Sequence, residues 1–549
     1  MALMEMVNQR FGIRRQWMQI PPLFWVVLIM LVAVLLRVYG VYRISPPGLE
    51  HDEVANWLID RAVLDGDLAI YYPEAYGHEA GFHYIQALSV ALLGDHALAL
   101  RLPAVFSGLL LIAVQYALTR RLFGLRVALL AAAFLAVLFW PIFYSRLGLR
   151  AILLPLVSGV SLYCWWRGWD IKKPGRGQLS PSNWKQRPFF WFALSGVFGG
   201  LSFYTYMAAR AVPIFYVLFL IYLFLLQRST FKEHWRGVFI FIILFAVVAT
   251  PLIIYLEANP GVEFRISEID APLQALWTGD FKPMLQNSIK ILGMFGIKGD
   301  PLWRQNVANR PVFGPLLALL FYAGNLLALW RWRDARYAFL LLWLGSAAIP
   351  SIVTVDAPSS IRMINALLVI TVFPAIVIHN IPRFSTIVPK LSTEWAYLLA
   401  LLLFGTHIWW TVNGIFHIWP ENEEVRFVWQ AALTETAAYL DRANDTSPVA
   451  VGGWSPATLD PPTMALSMQR RDLDMRYFGS DSITTPITTL IIPQAGGEDR
   501  ARLTRPTIRD FAAELESQLA SWGATPQVND NFVLYELPAP LRVDPQVTM

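Results

Sequence analysis

The chain has 549 residues, 56% of them hydrophobic and only 15% charged, with a mean hydropathy of +0.46. Soluble domains carry about a quarter charged residues, so this composition identifies a polytopic membrane protein, and its 22 Trp, 20 Tyr and 34 Phe suit interfacial aromatic belts. The net charge of +5 lies in short loops between apolar runs and excludes a nucleic-acid reading, while one cysteine, Cys164 inside an apolar run, excludes disulfides and argues against thiol catalysis.

Apolar runs of bilayer-spanning length fall at 22–42, 101–119, 126–144, 150–166, 189–207, 211–227, 237–256, 312–330, 337–353, 362–381 and 395–413, about eleven spans. The first lacks a small-residue cleavage site and reads as a retained helix. The stretch Phe82 to Leu93 is too short to span and reads as a juxtamembrane helix. The positive-inside rule tests this choice. With the N-terminus cytoplasmic, every inside loop is basic: Arg10, Arg14 and Arg15; then Arg120, Arg121 and Arg126; then the Lys-, Pro-, Gly- and Ser-rich loop 170–188; then Arg228, Lys232 and Arg236; then Arg331, Arg333 and Arg336; then Arg383 and Lys390. A full span at 82–93 would place these clusters outside.

The outer face then holds an acidic first loop, about 43–100, with Glu50, Asp52, Glu53, Asp60, Asp65, Asp67, Glu74 and Glu79. It also holds the turns 145–150 and 206–210, a long loop of about 257–311, and the segment 356–362. Residues 1–419 form the membrane domain. From residue 420 to 549 the composition becomes soluble, and an odd number of spans puts this part outside. Helices are expected at Glu423 to Ala443 and Thr507 to Trp522. Strands are expected at Val449 to Val451, Thr488 to Ile492 and Phe532 to Leu537. The fold class is a polytopic α-helical membrane protein with a small C-terminal α/β domain. That domain has no glycine-rich nucleotide pattern and no metal spacing.

Asp52 and Glu53 sit where a chain leaving the bilayer meets water, at the start of a helical-looking stretch. As solvated loop carboxylates they would be unremarkable; held near low dielectric, one of them is suited to act as a general base. His78 and His83 invite a zinc reading, but five residues apart on a helix they point about 140° away from each other. Arg101, Arg146, Arg150, Arg210 and Arg362 fall at outer ends of spans. Any one of them can be read as snorkelling to the interface, yet the positive-inside rule disfavours arginine on this face. Together, beside an acidic loop, they suit a phosphate held at membrane depth.

These residues carry a resemblance over about 20–380. The Asp52-Glu53 pair follows the first span. Gly77-His78 through Phe82-His83-Tyr84 leads to Arg101-Leu102-Pro103. Arg120-Arg121-Leu122-Phe123-Gly124, Tyr144 to Arg150, and Tyr204-Thr205-Tyr206 with Arg210 and Pro213 come next. In this order the chain resembles the GT-C glycosyltransferases, in particular the bacterial protein O-mannosyltransferase and aminoarabinose-transferase-like group. It departs from them at Glu79-Ala80-Gly81, where members often carry Pro-Pro and some a lysine; this shifts the phosphate contact toward the arginines and His78.

The resemblance implies an inverting enzyme of the bacterial plasma membrane. It would move a sugar from a polyprenyl-phosphate carrier to an acceptor on the outer face, with membrane lipids as its surroundings and no nucleic acid as partner. Asp52 would be the base and Glu53 would orient sugar or acceptor. His78, Arg101, Arg146, Arg150, Tyr206, Arg210 and Arg362 would bind substrate, with Arg146 and Arg210 or Arg362 on the phosphate. No cofactor is firmly implied beyond the lipid-linked sugar, and a divalent metal is the less favoured variant. The alternative is a non-catalytic GT-C-like subunit or a transporter with an outside domain. Against a transporter, the charges gather at one face and no internal repeat is visible.

Overall fold

A computed structural model describes residues 21–170, 187–381, 393–479 and 501–537, save 509 and 512. The basic clusters at 10–15 and 383–390, most of the loop 170–188 and the strand expected at 488–492 lie outside the described residues. Each expected span coincides with helix. Among the described residues, however, five helices are long and apolar enough to cross a membrane, or six if one bent pair counts as a span. Helix α1 is Pro22–Val38, and α2, His51–Leu64, follows it. The strands β1 (Tyr71–Tyr72) and β2 (His78–Glu79) pair antiparallel. Helix α3, Gly81–Leu93, is 13 residues long, and α4 is Ala97–Phe123.

The span expected at 126–144 is broken. It forms α5 (Leu125–Val137) and α6 (Phe139–Ser145), bent by 60°. Leu138 is extended at the break, and Pro141 has no N–H to continue the ladder. Buried Arg37 satisfies carbonyls near the break. Its Nη1 donates to Ala136 O at 3.1 Å, its Nη2 to Leu135 O at 3.4 Å, and its Nε to Ser145 Oγ at 3.2 Å. Within a bilayer such donors are what makes a broken helix tolerable.

Then follow α7 (Leu153–Trp169), α8 (Pro188–Leu201), α9 (Val212–Leu226), α10 (Arg228–Ala258), the short helices α11 (Phe264–Ile269) and α12 (Ala271–Trp277), α13 (Lys282–Met294), α14 (Pro315–Trp330) and α15 (Ala335–Ile352). The span expected at 362–381 begins as a 3-10 turn, Ile364–Leu368, and continues as α16, Val372–Asn380. Helix α17 is Thr393–Asn413. The core is aromatic: Trp165 meets Phe192 and Phe241 edge-on at 5.2 and 5.0 Å, and Phe215 meets Trp343 at 4.8 Å. Edge-to-face pairing at these distances adds to the burial of each ring.

Beyond Trp419 the chain forms α18 (Glu423–Val428), α19 (Ala431–Arg442), β3 (Val449–Gly453), α20 (Asp460–Ser467), β4 (Met475–Gly479), β5 (Ala501–Pro506), α21 (Ala513–Ser521), β6 (Thr525–Val528) and β7 (Phe532–Leu537). The strands form one sheet in the order β4-β3-β5-β7-β6. β3 runs parallel to β4 and β5, and β7 runs antiparallel to β5 and β6. The single helix expected at 423–443 divides at Gln430, which is left-handed with φ 47°. Val425 and Trp429 pack into the membrane core, so a boundary at 419/420 cuts a packed segment.

Candidate functional site

The site forms where α2 begins. Glu50 caps the helix, its Oε2 accepting from the Asp52 N–H at 3.0 Å. Asp52 and Glu53 are neighbours on a helix and therefore diverge by about 100°. Asp52 keeps a half-exposed side chain. Glu53 turns inward and is fully buried. There Oε1 accepts from Arg101 Nε at 2.9 Å and from the Gly148 N–H at 2.7 Å, and Oε2 accepts from Arg101 Nη2 at 2.7 Å. Arg101 also donates to Val41 O and Gly48 O. Arg146 donates only to backbone carbonyls, of Leu36, Arg37, Tyr39 and Ser45. Leu36, Arg37 and Tyr39 lie at the end of α1, where a helix leaves its last carbonyls without partners.

Asp52 lines two adjoining spaces, and a third adjoins the first of them. A central compartment of about 150 Å3 is walled by Glu50, Asp52, His78, Tyr144, Tyr206, Trp429 and four arginines, Arg150, Arg265, Arg304 and Arg362. An outer compartment of about 810 Å3 shares Glu50, Asp52, Arg265 and Arg304 with it, and adds His51, Tyr72 and, from the C-terminal part, Trp454, Ser455 and Thr458. A lateral groove of about 310 Å3 shares Tyr206 and Met207 and is walled by Phe203, Leu252, Ile253 and Leu256, with Arg210 among Glu79, Glu257 and Glu263.

Each cation is held from one side. Arg150 Nε donates to Glu79 Oε2 at 3.1 Å and the guanidinium lies 5.6 Å from the Tyr206 ring. Arg265 Nη1 donates to Glu268 Oε2 at 3.0 Å. Arg362 Nη1 donates to Thr354 Oγ1 at 3.0 Å and to Val355 O. Arg304 Nη2 donates to Asp52 Oδ2 at 2.6 Å and to Glu50 Oε1. Arg210 pairs with Glu263. Four guanidinium groups face two carboxylates in the central compartment. Burial, with Asp52 adding to it, pushes the Glu50 carboxyl up to about 8. The adjacent Asp52 carboxylate holds Arg304 above the usual arginine range. The turn before β2 takes three successive left-handed residues, Ala75 (φ 52°), Tyr76 (φ 69°) and Gly77 (φ 90°). A Cβ on Gly77 would collide with the Tyr71 hydroxyl and Val262 O. Strain of this kind persists where the surroundings fix it, and it collects at sites.

His78 and His83 are not on one helix, so their spacing argument does not apply: one is in β2, the other in α3. Their rings stack at 5.2 Å, His78 Nδ1 lies 3.1 Å from His83 Nε2, and His83 Nδ1 lies 3.1 Å from Asp60 Oδ1. Burial pushes His83 down to about 3, lowers His78, and raises Asp60. Among the described residues no group of three or more His, Cys, Asp or Glu is placed to hold a metal ion.

Of the expected site residues, Asp52, His78, Arg150, Tyr206 and Arg362 meet at the central compartment, and Arg210 lines the groove beside it. Glu53, Arg101 and Arg146 line none of these spaces. All three are buried, with their polar atoms bonded to each other or to backbone, where the sequence reading places them on substrate. Reasoning from spacing missed Arg265 and Arg304. Both lie in the long loop 257–311, which the charge rule expects on the outer face, and arginine there was the available signal.

Residues 78–255 match the family described as dolichyl-phosphate-mannose-protein mannosyltransferase. No curated protein matches the chain in sequence. In structure the chain is similar to ArnT from Cupriavidus metallidurans in the apo state, with a TM-score of 0.50 at 13% identity, covering 93% of this chain and 97% of that one. The same protein bound to undecaprenyl phosphate gives 0.49 at 13% identity, covering 94% and 97%. The Archaeoglobus fulgidus oligosaccharyltransferase gives 0.48 at 15% identity, covering 83% of this chain and 63% of that one, so the chain spans less than two thirds of that relative's length. The chain has the GT-C fold and is an integral membrane protein.

Proposed function

We propose that the protein is an inverting glycosyltransferase of the bacterial plasma membrane, taking a sugar from a polyprenyl-phosphate carrier and passing it to a hydroxyl acceptor on the outer face. The observation that carries this reading is the four-arginine central compartment with Asp52 in its wall, set between a groove whose walls include Phe203, Leu252, Ile253 and Leu256 and an open outer space. The groove suits the first isoprene units, the guanidinium groups suit a phosphate through charge-assisted bonds, and the outer compartment suits the acceptor. The C-terminal part, which supplies Trp454, Ser455 and Thr458 to that space, then shapes acceptor choice. In the reaction Asp52 removes the acceptor hydroxyl proton as the oxygen attacks the anomeric carbon. The bond from that carbon to the phosphate oxygen breaks, and the arginines neutralise the charge that gathers on the leaving polyprenyl phosphate. A phosphate is already a good leaving group and needs no general acid.

The test is transfer from a purified polyprenyl-phosphate sugar, together with titration of undecaprenyl phosphate. Arg362→Gln should weaken undecaprenyl phosphate binding roughly tenfold or more, the scale of one charge-assisted hydrogen bond, and should also slow transfer. Arg362→Lys should restore only part, because a point charge does not replace the guanidinium fork. Binding without transfer, under every donor offered, would point to the non-catalytic subunit.

The topology is tested separately. In a Cys164→Ala background, single cysteines at Ser229, exposed at the start of α10, and at Gln527, exposed on β6, should label oppositely with an impermeant reagent. Equal labelling in intact cells would remove the shared outer face on which the site depends.

A further inference from the structure

Arg304 stands on the divide between the two compartments and lines both. One nitrogen, Nη2, bonds Asp52 Oδ2 at 2.6 Å and also Glu50 Oε1. Among the described residues its Nε and Nη1 make no hydrogen bond, and the side chain is 38% exposed. The backbone beneath it is fixed. Trp303 O accepts from Trp419 Nε1 at 2.7 Å, and the Leu302 N–H donates to Asp300 Oδ1 at 3.0 Å. Glu50 is fixed as well, buried and committed to the cap of α2. The freedom in this contact therefore belongs to the Arg304 head group and to the half-exposed Asp52.

We propose that Arg304 is handed from the Asp52–Glu50 pair to the phosphate of an incoming carrier, and that Asp52 becomes available as a base only when a carrier is seated. The inference rests on the reading of the central compartment given above. While its Oδ2 accepts from Arg304 at 2.6 Å, Asp52 has that oxygen turned to the guanidinium and not to an acceptor hydroxyl. The carrier's phosphodiester carries one negative charge, as a carboxylate does, but it meets the guanidinium fork with two oxygens, whereas Asp52 and Glu50 share the single nitrogen Nη2. With Arg150, Arg265 and Arg362 already aimed at the same space, the phosphate is placed to draw Arg304 away. No bond is made or broken in this exchange. Its consequence is order: donor binds first, and the acceptor hydroxyl is deprotonated second.

The exchange makes Asp52 and the carrier phosphate competitors for one group, which a double-mutant cycle reads. Dissociation constants for undecaprenyl phosphate are measured on the full-length protein in nanodiscs, for wild type, Asp52→Asn, Arg304→Gln and the double variant, with Arg304→Lys as a second substitution. Removing the competitor should tighten binding about five- to tenfold, a shift within the range measured for coupled charge pairs. In the Arg304→Gln background the same Asp52→Asn change should gain less than about twofold, and in Arg304→Lys it should gain an intermediate amount. An equal gain in all backgrounds would mean that Asp52 merely repels the phosphate, and the exchange would be wrong; so would no gain at all. Wild-type protein that fails to bind undecaprenyl phosphate would instead overturn the reading of the compartment.

Discussion

Asp52→Asn should lower single-turnover transfer by a factor on the order of a hundred or more, the usual scale for losing a general base, while undecaprenyl phosphate still binds. The substitution keeps the shape of the side chain and an oxygen that can still accept from Arg304. What it removes is the charge and the basic oxygen that Asp52 presents at the boundary of the two compartments. Asp52 sits near the surface of the fold, with 49% of its side chain exposed, so the melting temperature should stay within a degree or two of wild type. A fall in rate with unchanged stability and retained carrier binding assigns the loss to chemistry. If Asp52→Asn turns over like wild type, the base lies elsewhere. Glu50 is then the next carboxylate to test, because it shares both compartments, whereas Glu53 faces neither.

Asp52 was legible in the sequence because it opens a helical-looking stretch where the chain leaves a span and because the resemblance marks the pair it belongs to; its position alone suits a solvated loop carboxylate equally well. Arg150 and Arg362 were legible as cations on the face where the charge rule disfavours them. The same argument failed for Arg101 and Arg146. Their positions resemble those of site arginines, but their partners are carbonyls left over at the end of α1 and a carboxylate one residue beyond the base. Those acceptors exist only once the fold is formed, and nothing in the spacing announces them. Arg304 failed in the opposite sense. It lies 252 residues from Asp52, in a loop without apolar periodicity, and only the packing of that loop onto the first one brings the pair together. The break at Leu138 was hidden inside a continuous apolar run, where hydropathy cannot distinguish one straight helix from two bent ones. In the C-terminal part the alternating strand β7 was visible, and β3 was marked by its apolar run. β4, at the edge of the sheet, and β5, in its interior, flank β3 in parallel, and parallel strands need not alternate.

The neighbouring carboxylate should fail in a different way. Arg101→Ala leaves Glu53 charged, buried and without its counter-ion, and such a loss costs about 3–5 kcal/mol in soluble proteins. It also strips donors from Val41 O and Gly48 O. Those carbonyls belong to the segment that leads from α1 to the cap of α2, so the lesion is transmitted to the helix that carries Asp52. Glu53→Gln should be milder. The amide keeps one acceptor oxygen but gives up the charge that balances Arg101, and its NH2 group meets a guanidinium or the Gly148 N–H, both donors. The expected pattern is a lowered unfolding temperature in detergent for both variants, larger for Arg101→Ala, with carrier binding and transfer falling together in proportion to the folded fraction. Lower temperature or a stabilising lipid should recover activity. That recovery separates the pair from Asp52, whose loss no stabilising condition repairs. If Glu53→Gln instead melts like wild type and loses only transfer, Glu53 touches substrate after all, and the inward turn of its side chain is not the state that works.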